Sequence, residues 1–526
     1  MGQASVLDFM GRQDTYDPPP ATVERIETHA SVVFLAGDYA YKVKRAVKYP
    51  FLDFSTLEQR HAACLNELRL NSRTAPEIYL EVVPVTVAPE GGFRFGGEGE
   101  VAEWALKMRR FDQAGLYDRM AAEGRLSLDA MAPLAEVIAS FHEKADRILT
   151  LEQAVRPLRG VSREHEALLA ESTDVFSPDA ARDFARQSRE AFEALSPLLR
   201  ARASGGFVRH CHGDLHLRNI VEIDGAPVLF DALEFDDRLA TIDVLYDLAF
   251  LLMDLGKRGL DAHANAVLNA YLDADGNSGN LLGLMALPFF LSLRAMVRAK
   301  VELLRAQRLA GDNAANTSEN AASARKNAAS ARKSARDYFA LARGFLAPPC
   351  PHLIAIGGLS GSGKSSVARA IAPEIGAFPG AVHVRSDMER KRLFGVAPQE
   401  TLRAEAYARH VSAQVYAMCR KRAALALEAG RAVIVDAVHA TPEERDAVAA
   451  LAAIHGAAFT GLWLEAPVQV LRKRVAGRVA DVSDATPSVV ETQAAYDLGP
   501  LDFHRIDASP PVEAVAASCL GRIKAQ

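Results

Sequence analysis

The chain has little that would suit it to an oxidising compartment, a bilayer or a nucleic-acid backbone. Its 526 residues include only five cysteines (Cys64, Cys211, Cys350, Cys419 and Cys519), with no CxxC pair and no Cys/His spacing suited to zinc. Neither a disulfide framework nor a cysteine metal site is expected, and the thiols read as reduced groups in a cytoplasmic protein. No apolar run approaches the roughly 20 residues that span a membrane, and the longest, residues 281–293, is interrupted by Pro288. The opening MGQASVLDFMGRQD lacks a basic stretch leading into an apolar core, so no secretory signal is expected. Charge of one sign is also missing. Sixty-one Lys and Arg against 66 Asp and Glu leave a net −5, which offers no general attraction to nucleic acid or a membrane surface. What is present is 49% hydrophobic and 24% charged, the balance of a globular chain, and too long for a single core.

Three textures follow one another. Residues up to about 110 mix short β-rich runs with one helix, and a mostly helical stretch runs from about 115 to 345. Short apolar strands then alternate with helices, the pattern of a parallel α/β domain. Near the last join the heptad NAASARK occurs twice, at 320–326 and 327–333. Two copies are too few for a solenoid, and alanine with recurrent Arg and Lys reads as a solvated helix. Pro348, Pro349 and Pro351 then break it.

In the last region an apolar run, Leu353-Ile-Ala-Ile356, is followed by GLSGSGKS, residues 358–365, and then by helical spacing. Strand, glycine-rich turn and helix make a P-loop. Gly358, Gly361 and Gly363 let backbone N–H groups of Ser360, Ser362 and their neighbours curl around phosphate oxygens, and Ser366 continues into the helix whose N-terminus favours anions. Lys364 would reach the β- and γ-phosphates, while Ser365 would ligate Mg²⁺. Asp436 closes the apolar run Ala432-Val-Ile-Val435, placed either to hold the magnesium shell or to cap the next element. Asp387 follows another strand and is the candidate to accept a proton from a substrate hydroxyl, with catalytic help from Lys364. Arg385 and Arg390 beside it either grip an anionic substrate or form surface ion pairs. Arg472, Arg474 and Arg478 follow the strand Gly461-Leu-Trp-Leu464 on an expected helix that would close over the phosphates. At these residues the region resembles the small P-loop kinases of metabolites, such as gluconate and shikimate kinases, together with polynucleotide kinases and zeta-type toxins. The resemblance implies phosphoryl transfer to a hydroxyl.

The second signal is HGDLHLRN, residues 212–219, which sets Asp214 and Asn219 five positions apart, with Asp231 twelve further on at the end of Val228-Leu-Phe230. Phosphoryl transfer needs a base near the acceptor and oxygen ligands for Mg²⁺, so Asp214 is the base candidate, and Asn219 and Asp231 the metal candidates. Upstream, Ser31-Val-Val-Phe-Leu35 and Tyr39-Ala-Tyr-Lys-Val-Lys44 flank a Gly37-Asp38 turn and read as a hairpin. Lys42, two positions after the small Ala40, is preferred to Lys44 as the phosphate-binding lysine. Glu67 is its expected partner, with Glu58 as the alternative, and residues 103–110 are expected to be the hinge. Glu234 is a further metal ligand or a loop charge, and structural hydrogen bonding is the reading for His212 and His216.

This region resembles the aminoglycoside phosphotransferase and choline-kinase-like branch of the kinase superfamily, in which Asp243 and Asp247 would be structural. With the P-loop region it resembles the bacterial bifunctional aminoglycoside phosphotransferase/ATP-binding proteins. The expected organisation is an extension at 1–24, an α+β protein-kinase-like domain at 25–345 with lobes 25–110 and 111–345, and an α/β P-loop domain with a parallel sheet at 346–526. The expected activity is ATP- and Mg²⁺-dependent transfer to small-molecule hydroxyls at two sites. The alternative makes the first domain a regulatory or binding module, because Ala36-Gly37-Asp38 is a bare turn with no GxGxxG, and leaves catalysis to the P-loop domain. A nucleic-acid-end acceptor there is kept open by the basic residues from Arg385 to Arg392 and opposed by the net charge.

Overall fold

The computed structural model describes residues 2–28, 30–49, 52–147, 151–312, 318–347, 351–477 and 482–525. The chain forms two compact units, one of residues 1–148 with 208–247 and one of residues 149–207 with 248–526.

In the first unit a six-stranded antiparallel sheet runs in the order Val23–Glu27, Ser31–Ala36, Tyr39–Lys44, Val101–Arg109, Tyr79–Val87, Phe93–Phe95. The Gly37-Asp38 turn does join Ser31–Ala36 to Tyr39–Lys44, with Val33 opposite Lys42. Strand alternation in Tyr-Ala-Tyr-Lys-Val-Lys puts Val43 in the core and both lysines on the other face. Residues 103–110 are not a hinge. They lie almost wholly in a central strand, Val101–Arg109, paired with Tyr39–Lys44 on one side and Tyr79–Val87 on the other. The adjacent Ala105 and Leu106, one to each face, are both fully buried, and pairing on both sides commits its backbone groups to neighbouring strands. The opening residues also contain a helix, Gln3–Met10, which buries Val6, Leu7 and Met10 against Val32 and Phe34. Helix Leu57–Asn71 starts at a capping box made by Thr56 and Gln59 and carries the buried Glu67. A hairpin, Ile220–Ile223 with Ala226–Leu229, turns at Asp224 and Gly225, both at positive φ. It brings Asn219 and Phe230 together, with Phe230 N donating to Asn219 O at 3.0 Å.

In the second unit, helices Leu287–Asp312 and Ser318–Phe345 pack together. The repeated heptads lie on the latter. Alanine is small enough for close helix approach, so Ala328, Ala331 and Ala335 are buried, whereas Arg332 points out to Asp174 and Lys333 to Asp337. The heptad helix is therefore solvated on one face only. Residues 278–310 are apolar and long enough to cross a membrane, but most of that stretch is buried inside the protein.

The rest of this unit is a five-stranded, wholly parallel sheet in the order Val382–Arg385, Val433–Asp436, His352–Gly357, Ala458–Glu465, His504–Asp507. Ile354, Ile356, Ile434, Leu462 and Leu464 form its core with Val367 and Ile371 of helix Lys364–Ile371. Register sets Ile356 and Arg385 on either side of Asp436, so three strands deliver their carboxyl ends to one place.

Candidate active sites

In the first unit the two lysines of one strand face share one carboxylate. Lys42 Nζ is 2.7 Å from Glu67 Oε1 and Lys44 Nζ is 2.6 Å from Glu67 Oε2. Lys42 also reaches Asp231 Oδ1 at 2.8 Å, and Lys44 pairs with Glu234. Glu67 is fully buried and Lys44 is 1% exposed, so these are desolvated ion pairs and removal of one member is costly. Burial opposes the charge on Lys42, but Asp231, Glu67 and Glu234 outweigh it and hold its pKa well above the ordinary value. Burial likewise opposes ionisation of Glu67, and the two lysines overcome it, keeping that carboxyl below its usual range. Glu58 sits exposed in the first turn of the helix, away from this cluster.

The catalytic-loop candidates converge by hydrogen bonding. Asn219 Nδ2 donates to Asp214 O at 2.9 Å and to Asp214 Oδ2 at 3.0 Å, and His216 Nε2 lies 3.4 Å from the same Oδ2. Asp231 adopts a left-handed φ of 58°, and its N–H donates to the Tyr79 hydroxyl at 3.0 Å. Asn71 Oδ1 accepts from Ala232 N, and Asn71 Nδ2 donates to Glu67 O. Asp247 accepts from the N–H groups of His212 and Gly213 and lies 3.1 Å from His142 Nε2, while His212 Nε2 sits 3.0 Å from Phe230 O. Both histidines and Asp247 thus brace the loop. The amide nitrogen of Asn219 is committed to Asp214, which leaves its amide oxygen, with the carboxylate of Asp231, as hard oxygen donors of the kind Mg²⁺ takes.

In the second unit the P-loop cradle requires its glycines. A Cβ on Gly358 (φ 140°) would meet Leu464 O at 2.5 Å, and one on Gly361 (φ 83°) would meet Leu471 O at 2.6 Å. Lys364 Nζ donates to Gly358 O at 2.8 Å and Leu359 O at 3.1 Å, and Ser360 N donates to Gln493 Oε1 at 2.7 Å. The Ser362 hydroxyl is buried without a partner among the described residues. Ser365 Oγ donates to Asp436 Oδ2 at 2.5 Å, and His383 Nε2 is 3.3 Å from that oxygen. A hydroxyl and a carboxylate so close fit magnesium, and the glycine cradle fits a polyphosphate.

Ser360, Gly363, Lys364, Ser365, Ser366, Asp387 and Asp436 all line one cavity of about 970 Å³, with Arg385 and Arg390. The two carboxyls titrate apart. Burial, then the charge of Asp436, raises Asp387. Burial resists ionisation of Asp436, but the hydrogen bond from His383, Lys364 and Ser365 hold it below the usual carboxylate range. Arg390 donates to Ala406 O at 2.6 Å and stacks over Tyr407. Asp484 ties the cavity's rim together, taking Lys391 at 2.7 Å, the Tyr407 hydroxyl at 2.6 Å and Leu402 N at 3.0 Å.

The arginines of helix Val468–Ala476 lie differently. Arg474 donates to Ala508 O and Ser509 O, Arg472 pairs with Glu491, and Arg478 falls outside the described residues. Sequence reading missed Lys44 as a partner of Glu67, although period-two alternation places it beside Lys42. It also missed His383, Gln493 and Asp484, whose side chains meet the site only through tertiary packing.

The Phosphotransferase enzyme family matches residues 51–282, and the AAA domain family matches residues 353–497. The uncharacterized proteins Rv2004c of Mycobacterium tuberculosis (strain ATCC 25618 / H37Rv) and Mb2027c of Mycobacterium bovis (strain ATCC BAA-935 / AF2122/97) are each 32% identical over 522 residues, 96% of this chain and 97% of theirs. Among solved structures, a choline/ethanolamine kinase family protein from Mesorhizobium loti is 16% identical, covering 64% of this chain and 99% of its own, with a TM-score of 0.36. A gluconokinase from Sinorhizobium meliloti 1021 is 23% identical, covering 33% and 93%, with a TM-score of 0.24. The chain belongs to the family that these mycobacterial proteins represent, and it joins a kinase-like domain of the Phosphotransferase enzyme family to a P-loop kinase-like AAA domain.

Proposed function

We propose that the chain is a cytoplasmic, ATP- and Mg²⁺-dependent phosphotransferase with two nucleotide sites, each transferring a γ-phosphate to a hydroxyl of a small molecule. The observation that carries the reading is that Lys364, Ser365, Asp387 and Asp436 converge on one cavity large enough for a nucleotide and a small acceptor. The kinase-like half is supported by Lys42 held between Glu67 and Asp231, with Asp214 and Asn219 joined nearby in the chain.

Each site would work by positioning and charge neutralisation. Lys364 and Lys42 bind phosphate oxygens when they exchange their present partners for the nucleotide. Ser365 with Asp436, and Asn219 with Asp231, would hold the magnesium, which when bound neutralises charge on the β- and γ-phosphates. Asp387 and Asp214 orient the acceptor hydroxyl and take its proton.

Transfer of labelled γ-phosphate from ATP into a metabolite extract tests this, with wild type, Asp214→Ala and Lys364→Ala in parallel. Each variant is expected to lose a different labelled product. If Asp214→Ala matches wild type while Lys364→Ala is silent, the two-enzyme reading fails for the kinase-like half.

A further inference from the structure

The parallel sheet ends on one side at Val382–Arg385, an edge strand that leads straight into Ser386 and Asp387. An edge strand leaves a row of backbone groups unpaired. Here one of them, His383 N, and two carbonyls just before the strand are met by a helix outside the sheet domain, Asp261–Asp275, which lies within the segment matched by the phosphotransferase family and in the same compact unit as the P-loop. Asn265 and Asn269, four apart and so on one helix face, supply the partners. Asn265 Nδ2 donates to Pro379 O at 2.9 Å and to Ala381 O at 3.1 Å. Asn269 Nδ2 donates to Ala381 O at 3.1 Å, and Asn269 Oδ1 accepts from His383 N at 2.7 Å.

The same helix holds the far end of the Asp387 segment. Arg392, on helix Ser386–Phe394, donates to Asp273 O at 3.2 Å and pairs with the Asp273 carboxylate at 3.4 Å. Arg422 donates to Leu272 O at 3.3 Å and pairs with Glu389 at 3.0 Å. The strand–helix segment bearing Asp387 is therefore clamped before and after that residue by one element. His383 carries the constraint inward, because its backbone is held by Asn269 while its ring reaches the Asp436 oxygen that also accepts from Ser365.

We propose that Asn269 and His383 are positioning residues of the P-loop site, through which helix Asp261–Asp275 sets Asp436 against Ser365 and makes magnesium-dependent nucleotide binding there depend on the kinase-like half. The proposal rests on the P-loop reading above. Its consequence is selective: contacts of the glycine loop with phosphate stay, and the contribution of magnesium falls.

The test uses the full chain carrying Lys42→Ala, so that calorimetry with ADP reads the P-loop site. Asn269→Ala is expected to weaken Mg-ADP binding by about tenfold, because the His383 hydrogen bond to the Asp436 carboxylate loses the backbone contact that aims it, while ADP binding in EDTA is unchanged. His383→Ala should do the same, and the double variant should bind no more weakly than His383→Ala alone, since both act through one chain of contacts. Asn269→Asp keeps the acceptor for His383 N and should recover part of the loss. Melting curves show that the variants compared are folded. If Asn269→Ala does not fold, His383→Ala, whose backbone contacts persist, carries the same reading. Unchanged Mg-ADP affinity in folded His383→Ala, equal losses with and without magnesium, or additive losses in the double variant would overturn the proposal. If the Lys42→Ala parent melts as a folded protein and binds no ADP, the P-loop reading itself has failed.

Discussion

Glu67 shows how a single residue ties stability to function in the kinase-like unit. Its two oxygens serve two lysines, and it has no exposure to water that could replace either. Glu67→Gln leaves both ammonium groups short of a buried counter-charge and is expected to cost about 3 kcal/mol. Because the folded carboxyl is held below its usual range, the stability it contributes is complete above the ordinary carboxylate pKa and is lost as pH falls through the depressed folded value. Urea midpoints of wild type and Glu67→Gln should thus differ widely at pH 7 and converge at strongly acid pH; a gap that stays constant would show that the ion pairs are not its source. Asp387 titrates the other way. Burial and the charge of Asp436 raise it, so a base at this position is ionised only above the ordinary carboxylate range. The rate at the P-loop site is expected to rise with pH through that raised value, and Asp387→Asn should remove both the rate and the titration.

Among elements, the glycine loop tolerates little. Gly358→Ala would place a methyl 2.5 Å from Leu464 O at a φ of 140°, which alanine rarely adopts. The expected cost is about 1–3 kcal/mol, with loss of nucleotide binding at this site and none at the other, measured by calorimetry in Lys364→Ala and Lys42→Ala backgrounds. The strand–turn–helix pattern around this loop was legible because apolar strands, glycines and a helix follow one another locally. The hairpin around Gly37 was legible for the same reason. The hinge was not: residues 103–110 mix charged and apolar side chains with no clean period, and only their two strand partners decide that they lie inside a sheet. The lid arginines show a similar limit. Helical spacing places Arg474 on a helix, but the carbonyls of Ala508 and Ser509 that take its guanidinium come from a distant turn.

For the whole molecule, the kinase-like and P-loop regions do more than follow one another along the chain. Phe345 packs on Phe378 with ring centroids 5.5 Å apart, a Cβ on Gly256 would meet Phe378 at 2.6 Å, and two asparagines cover the sheet edge. An isolated 346–526 fragment would expose that edge and Phe378 together. It is expected to self-associate and to melt at a lower temperature than the P-loop region does in the full chain, as read by gel filtration and calorimetry. A monomeric fragment with the full chain's Mg-ADP affinity would show that the clamp is dispensable.

The sequence by itself determined the two kinase-like motifs, the order of the domains and the residue types that can do phosphoryl-transfer chemistry. Those depend on short-range constraints: glycine where φ is positive, a lysine where phosphate passes, an aspartate where a strand ends. Tertiary structure alone decided which lysines share Glu67, that His383 and Ser365 meet on Asp436, and that a helix from one half closes the sheet of the other. Such contacts join residues up to 190 positions apart, and no local pattern encodes them because they depend on where whole elements pack.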